Sequence, residues 1–169
     1  SSTVNVDASG SNNAFAIDAS GDVKVNDSST IAGSVTDLES ASSPDPANMF
    51  GISDNGNNNI TVEDSTFQDL RVGIQTRGGG GSADVIIQNN NFNNIFASAY
   101  FVSTGNGAIT SGDSIEVNGN TLSNVGEGID IAATSSNVDL TSIKVVQNVF
   151  DNADADYRDN DNYDNAVQV

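Results

Sequence analysis

A short apolar pattern recurs four times along this chain with the same internal spacing. Each copy opens with two apolar residues separated by one other residue, and further apolar residues follow seven and ten positions after the first. The copies begin at Ile60, Val85, Ile115 and Ile143, so that successive copies lie 25, 30 and 28 residues apart. Repetition with a period of about 20–50 residues is typical of solenoids, in which every unit stacks on its neighbours.

The residues around the repeated positions favour short strands and turns. Within each copy, apolar and other residues alternate at the period of a strand. Asn, Ser, Thr, Gly and Asp are abundant, whereas Glu, Lys and Arg, which favour helices, are scarce. We therefore predict an all-β fold, a parallel β-helix (β-solenoid) of about five to six coils.

The pattern predicts one domain. Residues 1–169 form either a single β-helix domain or one segment of a longer solenoid. Residues 1–31 contain three alternating triplets, which predict a less regular coil of the same kind. Residues 32–48 contain both prolines of the chain, which exclude a central strand, so we predict an inserted surface loop there.

A polar column accompanies the apolar ones. Five residues after the first apolar residue of each unit stand Ser28, Ser65, Asn90, Asn120 and Asn148. We expect the three asparagines to stack in successive coils and to hydrogen-bond along the solenoid axis. With this column, residues 60–153 resemble the right-handed parallel β-helix repeats of the pectate-lyase-like superfamily, where an asparagine ladder lies at a sharp turn.

The resemblance implies a right-handed coil around a hydrophobic tube. One expected column of buried side chains contains Val23, Ile60, Val85, Ile115 and Ile143, and a second contains Phe67, Phe92, Leu122 and Phe150. The resemblance is at the level of the fold, since lyases, epimerases, adhesins and phage fibres share these repeats. It therefore leaves the activity open.

Polysaccharide cleavage is the first activity that the resemblance implies. In that superfamily, catalytic acids, calcium ligands and an Arg or Lys base project from the first sheet and its loops. Here the outward positions of that sheet hold no cluster of acids; they are Lys24, Thr61, Ile86, Glu116, Lys144, Asn26, Glu63, Gln88, Asn118 and Val146. Glu116 and Lys144 are expected to form a solvated ion pair. The chain has no histidine, which excludes a Ser-His-Asp triad. We assign no catalytic and no cofactor-binding residue, and the sequence favours a protein that is not an enzyme.

The charge of the chain restricts its partners. It carries 23 acidic and 5 basic residues, for a net charge of −18. This balance argues against nucleic acid as a partner, and no apolar run is long enough to insert into a membrane. An acidic surface favours cations or a high-salt medium.

An acidic loop over residues 151–164 is the strongest candidate for a metal site. Asp and Asn oxygens are the ligands that Ca²⁺ prefers, and alternating acids could converge from one turn. The candidate ligands are Asp151, Asp154, Asp156, Asp159 and Asp161. The segment lacks the Gly and Glu of an EF-hand loop, and a solvated acidic loop is the alternative interpretation.

Both ends of the predicted solenoid begin or finish with an alternating segment and no capping helix. An open strand edge is a template for pairing with another chain, and head-to-tail stacking of identical units produces a filament. Four apolar or aromatic residues are also expected to point outward, where a loop or a second chain would cover them: Ile86, Tyr100, Val102 and Val146.

These observations predict a structural or adhesive protein, extracellular or on the cell surface, that forms a homopolymer through its ends and is stabilised by Ca²⁺. One alternative is a polysaccharide-active lyase or epimerase, or a carbohydrate-binding β-helix, with polysaccharide as the partner. A groove lined by Tyr100, Tyr157, Tyr163 and acids would favour it. A phage or viral fibre module is the other alternative.

Overall fold

A computed structural model describes residues 2–6, 13–33, 49–56, 58–77, 83–103, 112–132 and 140–159 of the chain. Almost all of these residues lie in strands, and one short 3₁₀ turn covers Leu140–Ser142. The strands are β1 (Thr3–Asn5), β2 (Ala14–Ala19), β3 (Val23–Val25), β4 (Thr30–Ala32), β5 (Met49–Asp54), β6 (Ile60–Glu63), β7 (Thr66–Arg77), β8 (Asp84–Gln88), β9 (Asn91–Ser103), β10 (Ser114–Asn118), β11 (Thr121–Ala132), β12 (Ile143–Val146) and β13 (Val149–Asp159).

The strands form two parallel sheets, and successive turns of the chain contribute strands to both. One sheet has five strands in the order β3-β6-β8-β10-β12. The other has eight strands, with the main order β1-β4-β7-β9-β11-β13 and with β2 and β5 beside it. Since the chain passes from one sheet to the other and back, it is a parallel β-solenoid of about four turns. The all-β solenoid predicted from the repeat is confirmed, with fewer turns than the five to six coils expected; the hand of the coil stays a prediction.

The strand register reproduces the predicted apolar columns. In the five-stranded sheet, Ile60, Val85, Ile115 and Ile143 lie opposite one another. In the other sheet, Phe67 pairs with Phe92, and the same column continues through Leu122 and Phe150. The rings of Phe67 and Phe92 stack with centroids 5.0 Å apart. Each such buried side chain stabilises the fold by about 1.5–3 kcal/mol. A single turn could not be stable alone, because its apolar side chains are buried only when turns stack on one another.

Sharp changes of chain direction use residues that tolerate left-handed backbone. The turn from the five-stranded sheet to the next strand passes through Asp64, Asn89, Gly119 and Gln147, all with positive φ. A second column with positive φ lies inside the long strands, at Asp69, Asn94 and Asn124. Asn, Asp and Gly are the residues that adopt this conformation most readily. The abundance of Asn and Asp in this chain therefore has a conformational reason.

Of the two loops predicted from the sequence, one needs correction, and the other lies largely outside the described residues. The acidic loop predicted over residues 151–164 is instead a strand as far as Asp159, because β13 pairs in parallel with β11. Residues 160–164 lie outside the described part of the chain. The strand β4 ends at Ala32, and residues 34–48, which form most of the predicted inserted loop, are likewise outside the described ranges.

The four residues expected to point outward differ from one another. Ile86 and Val146 are half-buried on the five-stranded sheet. Tyr100 and Val102 are fully buried, which contradicts the expectation for these two. The strand that holds them contains one extra residue relative to both neighbours, between Ile95 and Ser98. This bulge changes the alternation along β9, so that counting from the start of the repeat no longer gives the orientation at Tyr100.

Candidate functional site

The predicted asparagine ladder is present at the turn between the two sheets. The Oδ1 atom of Asn90 accepts a hydrogen bond from the Ser65 backbone N–H at 3.0 Å. Asn120 accepts from the Asn90 N–H at 2.9 Å, and Asn148 accepts from the Asn120 N–H at 3.0 Å. The side chains are also joined directly, since the Nδ2 atoms of Asn90 and Asn120 donate to the next Oδ1 at 3.1 and 2.9 Å.

The same asparagines also bind the backbone of the preceding strands. Their Nδ2 groups donate to the carbonyl oxygens of Val62, Ile87 and Val117 at 2.9, 2.9 and 3.0 Å. Each carboxamide therefore satisfies backbone groups that the turn removes from the sheets, as buried polar groups require. Asn120 is completely buried, which places this network inside the protein.

The ladder stops at Asn148 within the described residues. Every preceding rung donates its backbone N–H to the asparagine of the next turn. No described residue supplies the corresponding acceptor for the Asn148 N–H. The strands of the same turn, β12 and β13, each pair with one neighbour in the described part of the chain. Among the described residues, no strand pairs with the outer side of β12 or β13.

The two exposed large apolar side chains of the described residues lie on the strands at opposite ends of the stack. Val4 in β1 is 39% exposed, and Val149 in β13 is 58% exposed. Val4 lies opposite Ile31 and so belongs to the column that continues to Phe67. Its exposure follows from its position, because no described strand covers β1 on its outer side.

A second polar column, which the sequence analysis missed, lies at the bend inside the long strands. The Nδ2 atom of Asn94 donates to Oδ1 of Asp69 at 2.7 Å. Both residues have positive φ, as has Asn124 in the next turn. The available signal was an Asp or Asn at the same position of three repeats, two residues after the buried Phe67, Phe92 or Leu122. In a chain rich in both residues this signal is weak.

The outer surface of the five-stranded sheet carries isolated polar pairs. Lys144 and Glu116 form the predicted ion pair, with Nζ and Oε1 3.1 Å apart. One turn away, Nε2 of Gln88 donates to Oε1 of Glu63 at 2.7 Å. The ion pair is partly exposed, so it contributes at most about 1 kcal/mol. The described positions of this surface bring no acids together in the manner of a catalytic pair.

Tyr100 does not line a groove. Its side chain is buried, and its hydroxyl lies 2.9 Å from the hydroxyl of Thr76. Burial raises the pKa of Tyr100 far above its ordinary value, and the nearby Asp54 carboxylate adds to this shift. The tyrosine groove that would favour sugar binding is therefore not formed by Tyr100. The side chain of Tyr157 and all of Tyr163 lie outside the described part of the structure.

The candidate calcium ligands follow a strand instead of one turn. Asp151 is exposed near the start of β13, and the backbone of Asp154, Asp156 and Asp159 belongs to the same strand. Asp161 lies outside the described residues, as do the side chains of the three acids before it. Elsewhere among the described side chains, no three His, Cys, Asp or Glu residues are close enough to hold a metal ion. Calcium binding stays a prediction.

Comparison with known proteins adds no relative. The chain matches no protein-family model, and neither the curated proteins nor the solved structures contain a match to it. In the described ranges, no helix has the length and apolar character needed to cross a bilayer.

Proposed function

We propose that the protein is a structural, adhesive β-solenoid that acts outside the cell or on its surface and assembles into a homopolymer through its ends. The observation that carries this proposal is the position of Val4, a member of the inward apolar column that is 39% exposed because no described strand covers the outer side of β1. Open edges on parallel sheets accept a further strand through backbone hydrogen bonds alone.

The internal register suggests how a second copy would pair. The same column contains Val4, Ile31, Phe67, Phe92, Leu122 and Phe150. If β1 of one copy continues this column beyond β13 of another, its Val4 lies over Phe150, and its Thr3 lies over Val149. Val4, which belongs to this inward column, then becomes buried, whereas Val149 stays on the outer surface of the sheet in the row of Thr121. Because the contact joins different surfaces of identical chains, repetition gives a filament.

The asparagine ladder supports placing the fold in the pectate-lyase-like superfamily, with a right-handed coil. Within the described residues, no observation favours a lyase, an epimerase or a phage fibre over the structural role. The net charge of −18 supports a role for salt or Ca²⁺ in assembly, since screening reduces repulsion between acidic copies.

Negative-stain electron microscopy and sedimentation velocity test the proposal. We expect wild-type protein to form filaments at high concentration and the Val4→Lys variant to remain monomeric, because a lysine in the inward column at the contact buries an unpaired charge. Thr61→Lys places the same charge on the outer surface of the five-stranded sheet and should leave filaments intact. Monomers at every concentration, or filaments equally affected by both substitutions, would refute end-to-end assembly. A chelator added to formed filaments separates calcium-dependent from calcium-independent assembly.

A further inference from the structure

Asparagine followed by glycine occurs three times in the chain, at Asn55-Gly56, Asn106-Gly107 and Asn118-Gly119. Asparagine is one of the thermolabile residues. It is most labile before glycine, because a residue without Cβ lets its backbone nitrogen come close to the preceding side chain. Asn106-Gly107 lies outside the described residues. The other two dipeptides allow the same chemistry to be compared in two environments.

The first dipeptide, Asn55-Gly56, lies in the turn between β5 and β6. Asn55 is exposed, and Gly56 is half-buried. The N–H of Gly56 donates to Oδ1 of Asp54 at 3.0 Å, so its partner is a side chain of the same turn. The paired residues of the sheets end at Asp54 and resume at Ile60. The backbone at Gly56 can therefore change its local conformation while both strands keep their register.

The second dipeptide, Asn118-Gly119, is held between two coils. Asn118 is the last residue of β10 and is paired with Gln88 on one side and Val146 on the other. The N–H of Gly119 donates to the carbonyl oxygen of Val146 at 3.1 Å, and Gly119 has a φ of 65°. Movement of the Gly119 nitrogen towards the side chain of Asn118 would break this contact between coils. Reaction here requires local unfolding, which costs free energy.

We propose that Asn55 is a site of spontaneous deamidation in the folded protein, and that the fold protects Asn118. The nitrogen of Gly56 forms a bond to Cγ of Asn55 and gives its proton to hydroxide. The bond from Cγ to Nδ2 breaks, and Nδ2 takes a proton from water and leaves as ammonia. Water then opens the succinimide ring at either carbonyl, which leaves aspartate or isoaspartate at position 55. Each event adds one negative charge to a chain whose net charge is already −18.

The product carboxylate would face another carboxylate. Nδ2 of Asn55 donates to Oδ1 of Asp18 at 2.7 Å, which joins the turn to β2 in the first coil. Deamidation removes this donor and places two like charges at the contact, where they repel each other. In the described part of the chain, β2 pairs with β5 alone. Deamidation should therefore loosen the first coil. The inference goes beyond the proposed assembly and does not depend on it.

Incubation of the full chain in mildly alkaline buffer, followed by peptide mapping with tandem mass spectrometry, tests the proposal. Labelling with protein isoaspartyl methyltransferase identifies the isoaspartate product. We expect Asn55 to convert about tenfold or more faster than Asn118 in the folded protein, and the two rates to become similar in concentrated urea, where the contacts between coils are lost. No conversion of Asn55, equal rates at the two sites in the folded protein, or the same ratio in urea would overturn the proposal.

Gly56→Ala tests the attacking nitrogen in a folded protein. A Cβ at Gly56 would meet only the side chain of Asn58, with its Nδ2 atom 2.8 Å away, and this flexible end can move. The variant should keep the circular dichroism spectrum of the wild type and deamidate more slowly at Asn55. An unchanged rate would contradict attack by the nitrogen of residue 56.

Charge-swap variants test the consequence of deamidation separately from its rate. Asn55→Asp imitates the aspartate product and should lower the melting temperature. Asp18→Asn/Asn55→Asp restores one donor and one acceptor at the contact, so it should recover the melting temperature of the wild type. Equal melting temperatures for the single and the double variant would refute repulsion from Asp18 as the effect of deamidation.

Discussion

Asn120 accepts two hydrogen bonds from Asn90 on a single oxygen atom. Its Oδ1 receives the backbone N–H of Asn90 at 2.9 Å and the side-chain Nδ2 at 3.1 Å. The two residues are 30 positions apart in sequence and lie in adjacent turns of the solenoid. This contact joins the turns at the point where the chain leaves the five-stranded sheet, and it is the structural counterpart of the sequence repeat.

We expect Asn120→Ala to destabilise the protein. The substitution leaves the buried N–H of Asn90 without its acceptor, and an unpaired buried group costs about 1–3 kcal/mol. Urea denaturation should therefore show a lower midpoint with an unchanged slope. The control is Asn91→Ala, which removes an exposed carboxamide from the neighbouring position and should change stability by less than about 0.5 kcal/mol. Equal effects of the two substitutions would contradict a stabilising role for the ladder.

Gly73→Ala should also destabilise the protein, by overpacking. A Cβ atom at Gly73 would lie 2.5 Å from the carbonyl oxygen of Ala99 and 2.9 Å from Cε1 of Phe92. Relieving such contacts in a packed core costs about 1–3 kcal/mol. Gly21→Ala is the matched control, because a Cβ there meets no atom within 4 Å. Thermal melting should separate the two variants, and a Gly73→Ala protein as stable as the control would show that the sheets can move apart.

The buried hydroxyl of Tyr100 predicts a loss of stability in alkaline solution. Its pKa is raised by burial in the folded protein, so the folded state holds this proton at a pH where the unfolded state has released it. The stabilisation is complete below the ordinary tyrosine pKa of about 10 and declines as the pH rises above it. Denaturation midpoints should thus fall from about pH 10 upward.

Tyr100→Phe provides the check on this assignment. The variant loses the contact with Thr76 at neutral pH, which costs about 0.5–1.5 kcal/mol. In return, its stability should decline less steeply than that of the wild type in the alkaline range. Parallel pH profiles for the two proteins would show that another group is responsible.

The sequence was sufficient to predict the features that repeat in step with the turns. The apolar columns through Ile60 and Phe67 and the ladder from Asn90 to Asn148 recur at fixed offsets, so that stacking of the repeats places them together. The Lys144–Glu116 pair followed from the same alignment. These predictions required no knowledge of the loops. The loops change the distance between repeats, but the spacing of residues within each repeat stays the same.

Features that interrupt the alternation could not be predicted in this way. The bend at Asn94 and the extra residue after Ile95 shift the orientation of later side chains in β9, so Tyr100 was wrongly expected to point outward. The acids of β13 have the composition of a turn, yet the open edge of β11 supplies backbone partners that favour a strand. In both cases pairing with a neighbouring strand decides the conformation, and local propensity does not.

The acidic surface predicts that salt stabilises the protein. With a net charge of −18, repulsion in the folded state is long-ranged at low salt; the screening length falls from about 10 Å at 0.1 M salt to about 3 Å at 1 M. The melting temperature should rise with NaCl over this range. If the acids of β13 also bind Ca²⁺, millimolar CaCl₂ should raise the melting temperature further than MgCl₂ at the same ionic strength, and Asp154→Asn/Asp156→Asn should abolish that difference. Melting that is unchanged by NaCl would refute the electrostatic argument, whereas equal effects of the two divalent ions would refute the calcium site alone.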